Sequence, residues 1–259
     1  MTDTGIYVYG ISRDLAEDAT RELRGVGGVP VHAVTEGDLT ALASTVSLAD
    51  FGEDALRRNL EDLGWLESAA RAHHGVVDAT SAFAPTVPLG LATVYRTEDR
   101  VRETLRERAE EFTRALDRIT GRTEWGVKGY ATLERPTTPE EPAGDDTERP
   151  GTSYLMRRRT RQRTEQASRA EVMEFADRLD AELRGLAEDA RLHPPQDPRL
   201  SGHEGWMIIN AAYLVDDARA GEFRAAVASL GAERPEVTLE LTGPWAPYSF
   251  ATEEEAWTG

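Results

Sequence analysis

Cysteine is missing from this 259-residue chain, and lysine is nearly so, since Lys128 is the one lysine among 30 basic residues. Without cysteine there is no disulfide, thiolate nucleophile or cysteine-ligated metal. No apolar run reaches the roughly 20 residues needed to cross a bilayer. The N-terminus has no basic segment followed by an apolar stretch, so no signal peptide is expected. These absences permit a cytoplasmic location.

Positive charge is also scarce relative to negative charge, and the formal net charge is -17. This balance argues against non-specific binding to nucleic acid, which needs cationic side chains to replace phosphate counterions. It also disfavours adsorption on anionic lipid, while it favours solubility. Apolar residues make up 39% of the chain, an ordinary globular level, so we expect a packed core.

The first half alternates strand and helix patterns that end at Gly121, a helix-stopping residue. β-branched and aromatic runs predict strands, and apolar spacing of three and four predicts helices. Ser12 or Asp14 is a candidate N-cap for the first helix. The predicted order is a strand at 6–11, a short helix to residue 23, hairpin strands at 29–34 and 39–46, a helix over 53–80, a strand over 87–95 and a helix over 97–119.

The predicted helix over 53–80 is apolar on two faces. A main stripe at helical spacing comprises Leu56, Leu60, Leu63, Leu66, Ala70, His74 and Val77. The roughly opposite side carries Trp65, Ala69, Ala72 and Val76. Such a helix is either sandwiched between layers or offers one face to a partner.

The second half predicts β-α-β-α-β around an acidic, proline-rich loop at 134–150, which is expected to be flexible. The elements are a strand over 125–133, a long helix over about 157–192, a strand over 205–215, a helix over 216–230 and a half-exposed strand over 236–242. We therefore predict an α+β fold with an N-terminal domain over 1–121, a C-terminal domain over 122–243 and an irregular aromatic tail over 244–259.

Motifs for catalysis or cofactor binding are sparse. The glycines of 25–28 match neither nucleotide-binding pattern and predict a turn. His73 and His74 point about 100° apart on a helix and cannot chelate one metal together, so a packed, hydrogen-bonded His74 is predicted. The Arg-rich run 157–163 could bind an acidic partner or nucleic acid, or it is compensated by the preceding acidic loop.

A proline-rich loop in the C-terminal half contains two histidines and two carboxylates. These residues are His193, Asp197, His203 and Glu204. Two histidines and a carboxylate can bind zinc, although the spacing matches no known signature and such residues are common in loops. We expect no cofactor, no metal and no enzymatic activity, with a metal-dependent enzyme at His193, Asp197 and His203 kept as an alternative.

Five segments together resemble the gas vesicle protein GvpF/GvpL family, in an order that extends over nearly the whole chain. One departure is Gly90, where family members often carry a basic residue after the Pro-Leu pair. The segments are Tyr7 to Ile11; Trp65 to Glu67 with Ala70 to His73 and Val76-Val77; Val87 to Leu89 leading to Ala92 to Tyr95; Gly121-Arg122 with Glu124 to Lys128; and Gly243 to Trp245 with Pro247 to Phe250.

The resemblance implies two α+β domains, each like a modified ferredoxin fold, and an accessory role in assembling gas vesicles. It implies partners among the hydrophobic shell protein and other gas vesicle accessory proteins, and no catalysis. The aromatic residues Trp65, Trp245, Tyr248 and Phe250 are candidate partner contacts, because Trp and Tyr are common interface hot spots. In the alternative, the tail aromatics pin the chain end to its own core. A ligand-binding or regulatory ferredoxin-like module is the alternative function.

Overall fold

The computed structural model describes residues 3–16, 18–132, 150–196 and 205–251, with side chains of the 150–184 helix described at 158–160 and from 162 onward. The described chain divides into two compact units. The first unit contains the chain up to Glu124 and again from Pro244, and the second unit is Trp125–Gly243. The domain limits that the sequence predicts, at residues 121 and 243, stay a prediction.

The first unit is built on a sheet with the strand order β2-β3-β1-β4, in which β5 also pairs with β1. Its strands are β1 (Thr4–Arg13), β2 (His32–Glu36), β3 (Leu39–Ser47), β4 (Thr86–Pro88) and β5 (Val94–Tyr95). Its helices are α1 (Leu48–Phe51), α2 (Glu53–Asn59), α3 (Leu63–Ser81), α4 (Glu98–Glu107) and α5 (Ala109–Ile119).

Strand β1 is apolar on both faces because the sheet is covered on both sides. Ile6 and Val8 face a core that contains the apolar sides of α4 and α5. Tyr7 and Tyr9 face a second core with Phe51 of α1 and the buried residues of α3. A register shift between Val8 and Gly10 allows Ile11 to return to the first core.

The second unit has the element order β-α-β-β-α-β, which is the ferredoxin-like pattern. Its elements are β6 (Arg122–Ala131), α6 (Pro150–Arg184), β7 (Asp189–Leu192), β8 (Trp206–Asp216), α7 (Ala220–Glu233) and β9 (Val237–Trp245). The strand order is β7-β8-β6-β9, and one core joins the sheet to α6 and α7. The first sheet has the same order of second, third, first and fourth strands, with turns in place of the first helix. The α+β fold class is thus confirmed.

The short helix predicted to run from Ser12 or Asp14 to residue 23 is wrong. Strand β1 continues to Arg13, and the Ser12 hydroxyl donates a hydrogen bond to the Pro85 carbonyl at 2.8 Å instead of capping a helix. Asp14 then adopts φ 57°, a left-handed conformation that interrupts a helix. Residues 18–22 form turns.

The long helix predicted over 53–80 is two helices, because Asp62 starts a new one. Its carboxylate accepts hydrogen bonds from the backbone N–H groups of Gly64 and Trp65, at 2.9 and 3.1 Å. This is the N-cap arrangement that satisfies donors at the beginning of a helix. The break resets the helical phase, so the stripe counted from Leu56 through α3 does not describe one continuous face.

The helix predicted over 157–192 differs at both ends. It begins at Pro150, inside the segment predicted as a loop, and it ends at Arg184. Residues Asp189–Leu192 instead pair with β8 as an antiparallel strand. The pairing satisfies backbone hydrogen-bonding groups of β8, and apolar spacing within residues 157–192 carries no information about that need. The rest of the predicted loop, 134–149, lies outside the described residues.

Candidate interaction surface of the first unit

Helix α3 is held on the sheet by a buried imidazole. His73 Nε2 lies 3.1 Å from the Leu89 carbonyl, and its Nδ1 lies 3.0 Å from the Tyr7 hydroxyl. Because a carbonyl only accepts, Nε2 carries the proton and Nδ1 accepts from Tyr7. The Tyr7 oxygen in turn accepts the N–H of Ala92, at 3.0 Å. The network needs the neutral imidazole.

Electrostatics within this network agree with the hydrogen-bond assignment. Burial, with a smaller repulsive contribution from His74, lowers the pKa of His73 to about 4. Burial also raises the pKa of the Tyr7 hydroxyl, so it stays a donor. The packed histidine was predicted to be His74, and this is wrong: His73 is buried and His74 is exposed.

Strand β1 also fixes the loop between β4 and β5 and the turn before β2. The Tyr9 hydroxyl donates to Ser44 Oγ at 2.9 Å and accepts the N–H of Val26. The Leu89 N–H donates to the Tyr9 carbonyl. The strand predicted over 87–95 is therefore divided into β4 and β5. Residues 89–93 form a loop between them, and this loop is hydrogen-bonded to β1 and to His73.

Tyr7→Phe tests the network directly. The substitution removes the donor to His73 Nδ1 and the acceptor for Ala92, so we expect the free energy of unfolding to fall by about 1–3 kcal/mol. The control is Tyr95→Phe, in a partly buried residue that packs on the other core, with an expected change within about 0.5 kcal/mol. Urea unfolding measures both. Equal losses would contradict a special role for the Tyr7 hydroxyl.

The face of α3 that packs on the core includes Ala69 and Val76 of the second side and also Val77 of the main stripe. Its buried residues are Ala69, His73, Val76, Val77 and Thr80. Trp65 is half-buried on this side, with its ring 5.5 Å from that of Phe51. Trp65 is therefore only partly available to a partner, and its role as a contact stays a prediction.

The main stripe, in contrast, is partly uncovered at the beginning of α3. Leu63 is 79% exposed and Leu60 is 41% exposed, and Leu66 and Ala70 are half-buried. We call Leu63, Leu66 and Ala70 of α3, together with Leu60 at the end of α2, the leucine face. Further along the same side, the ring of Tyr248 contacts the exposed His74, with centroids 4.8 Å apart.

Exposed acidic residues lie close in sequence to the leucine face. Asp54, Glu61, Asp62 and Glu67 are all exposed, and Glu67 pairs with Arg71. Among the described residues, Asp54 and Glu61 form no ion pair, and Asp62 serves as the N-cap of α3. Arg57, Arg58 and Arg71 of the same segment are also exposed, so the charged neighbours of the leucine face have both signs, with acidic residues in the majority.

The aromatic tail divides into an anchor and an exposed residue. Phe250 is 1% exposed and lies under the Arg118 guanidinium, 5.9 Å from its carbon to the ring centroid. The Glu124 carboxylate accepts both the N–H and the hydroxyl of Ser249, at 2.8 and 2.7 Å. Phe250 is thus buried in the chain's own core, as the alternative for the tail aromatics expects, and its ring is not exposed to a partner.

Trp245 and Tyr248 differ from this anchor. Trp245 is 50% exposed. Tyr248 is half-buried against His73 and His74, and its hydroxyl has no hydrogen-bond partner among the described residues. Burial, followed by the charge of Asp78, raises the pKa of Tyr248. Of the four predicted aromatics, Trp245 is the one whose ring is largely available.

Gly90, the departure from the family pattern, is exposed, and a Cβ there would meet only Thr93 Oγ1 at 4.0 Å. A basic residue would have space at this position.

The metal cluster proposed from the sequence is described only at His193, whose backbone N–H donates to the Asn210 carbonyl. Asp197, His203 and Glu204 lie outside the described residues. Within the described ranges, no group of three potential metal ligands occurs.

The described helices include none that is both long and apolar enough to cross a membrane. By its fold, the chain is a protein of two α+β units. Comparison with known proteins identifies the family. The family model described as gas vesicle synthesis protein GvpL/GvpF matches residues 5–252, and the chain belongs to this family.

Relatives and solved structures agree with this assignment. The chain is 44% identical to gas vesicle protein L of Streptomyces sp. (strain CB03234), over 96% of this chain and 94% of that protein. It is 28% identical to gas vesicle protein F of the same strain, over 94% and 98%. The crystal structure of GvpF from Anabaena sp. PCC7120 superposes with a TM-score of 0.68 at 21% identity, covering 97% of this chain and 98% of that one, and shows the same fold.

Proposed function

We propose that this gas vesicle accessory protein binds the hydrophobic shell subunit through the leucine face and Trp245, and limits its aggregation before assembly. The observation that carries the proposal is the leucine face itself, with Leu63 79% exposed on a chain of net charge -17. A free shell subunit exposes apolar surface that needs cover. The acidic exterior of the complex would keep it dispersed.

The proposal extends to place and partners. The protein works in the cytoplasm in association with gas vesicles, delivers subunits to a growing shell and contacts other accessory proteins. No catalysis is expected. The support is family membership together with the separation of roles in the tail, where Phe250 anchors the chain and Trp245 stays available. Large aromatic side chains at such positions commonly supply much of the binding energy of an interface.

Trp245→Ala and Leu63→Ser are expected to weaken shell-protein binding at least tenfold while changing the free energy of unfolding by less than about 1 kcal/mol, because both side chains are largely exposed. The measurement is co-expression with a gas vesicle shell protein and affinity pull-down from the soluble fraction. Thermal unfolding of each variant checks the fold.

Phe83→Ser is the matched control. Phe83 is 82% exposed but follows the other end of α3, about 28 Å away along a 19-residue helix. It should leave the retained shell protein unchanged. If the wild type neither retains nor solubilises the shell protein, the proposal fails. If Phe83→Ser weakens binding as much as Leu63→Ser, binding is general adhesion and not a defined surface.

A further inference from the structure

Strand β9 is an edge of the second sheet. Among the described residues its one neighbour is β6. The Thr132 N–H donates to the Glu236 carbonyl at 2.9 Å, whereas the Val237 N–H turns away to the Arg234 carbonyl. Backbone groups alternate sides along a strand, so those of Leu239 and Leu241 face away from β6. Edge groups of this kind are a template for another strand.

An apolar groove of about 450 Å³ lies beside this edge, between β9 and α7. Its lining includes Val227 and Gly231 of α7 and Val237, Leu239 and Leu241 of β9. At Gly231 an added Cβ would sit 3.7 Å from Leu239, in ordinary contact. The groove therefore owes part of its width to the missing side chain, and it can take one row of apolar side chains.

The charge at the groove also restricts its occupant. Arg224 is exposed and lines the groove. In the part of the chain that the structure describes, Arg224 pairs with no carboxylate, whereas Arg178, Arg184, Arg219 and Arg234 of the same unit do so. On a chain of net charge -17, this is a local site for a negative group. A carboxylate at the end of an incoming segment would complement it.

We infer that β9 and the groove bind an extended segment of a partner protein as an added strand. That segment carries apolar side chains at alternate positions, facing Leu239 and Leu241, and a carboxylate that meets Arg224. Main-chain hydrogen bonds to β9 would supply affinity, and the groove would supply specificity. This surface belongs to the second unit and does not depend on shell binding at the leucine face.

The probe is a synthetic nine-residue peptide that alternates valine with threonine and has aspartate at both ends. The matched peptide has lysine at both ends. We expect the acidic peptide to bind at least fivefold more tightly by isothermal calorimetry, although the net charge of the protein favours the basic one. Arg224→Gln should remove most of this difference. Methylating the amides along one edge of the peptide should abolish binding, and methylating the other edge should not.

Gly231→Phe should abolish binding by filling the groove, and it should not unfold α7, because phenylalanine has a higher helix propensity than glycine. Gly221→Phe is the matched control, in the same helix, where an added Cβ meets nothing within 4 Å. Three results would overturn the inference: no binding of the acidic peptide, equal binding by the Gly231→Phe variant, or loss on methylating either edge alike. Conversion of a dimer to a monomer by Gly231→Phe would also overturn it, since the groove would then join two copies.

Discussion

Phe250→Ala is expected to lower the free energy of unfolding by about 3–5 kcal/mol, the usual cost of truncating a buried phenylalanine. The ring is 1% exposed and lies under Arg118. Of its neighbours in the tail, Ala246 is buried in one core of the first unit and Ala251 in the other. Removing the Phe250 ring would therefore leave a cavity where the tail packs on these two cores. Urea unfolding measures the loss. Limited proteolysis should show earlier cleavage around residues 246–251.

Phe250→Leu and Trp245→Ala are the controls for this prediction. The leucine variant keeps most of the apolar volume and should lose less than half as much stability. The Trp245→Ala variant removes a half-exposed ring and should lose less than about 1 kcal/mol. If Phe250→Ala costs no more than Trp245→Ala, the tail is not anchored by Phe250, and the division of the tail into an anchor and an exposed contact would be wrong.

Acidification is expected to destabilise the protein through His73. Its pKa is about 4 in the folded state and about 6.5 in the unfolded chain. The unfolded state therefore binds more protons between these values, so the stabilisation is complete above pH 6.5 and is lost as the pH falls toward 4. At about 1.36 kcal/mol per unit, the loss approaches 3 kcal/mol.

The groups around the imidazole give this prediction its specificity. Tyr7 and Tyr9 from β1 and Tyr248 from the tail face the ring of His73, and His74 is its neighbour on α3. No carboxylate contacts His73 in the described part of the chain, so protonation there has no compensating partner. Protonation would also replace the Nδ1 acceptor by a donor that points at Tyr7.

Urea unfolding between pH 7.5 and pH 4 measures this effect by comparing variants, because carboxylates titrate over the same range in all of them. His73→Gln should lose stability at neutral pH but show a slope smaller by the His73 contribution. His74→Gln, which removes an exposed imidazole one residue away, should keep the greater part of the slope. A slope that is the same in His73→Gln and the wild type would contradict a neutral, buried His73.

Several features could be predicted because they depend on residues close together in the chain. The hairpin of β2 and β3 follows from two apolar stretches around Gly37. The helix predicted from residue 97 begins there as α4, because the polar Thr97 precedes acidic residues and caps the helix. The mixture of strand-forming and helix-forming segments, and hence the α+β class, needed no more than local periodicity, although the order missed strand β7. The family resemblance was likewise present in short segments.

The candidate surface could not be predicted in the same way. Periodicity showed that the helical region is apolar on two faces, but not which face meets the sheet. Asp62 begins a new helix at α3, and the depth of His73 follows from contacts with Tyr7 and Leu89, 66 and 16 residues away. The spacing of Ala69, His73, Val76 and Thr80 was the available signal, but the sequence left open whether both faces are covered or one meets a partner.

The sequence alone determined the fold class, the family and the strongly negative charge, because composition and local patterns are properties of the chain itself. The tertiary structure decided which apolar residues are left over. Leu63 remains exposed, Phe250 is buried, and the apolar groove lies beside the edge of β9. The reason is that burial depends on which surfaces distant segments cover, and that competition is settled only when the sheets and helices pack.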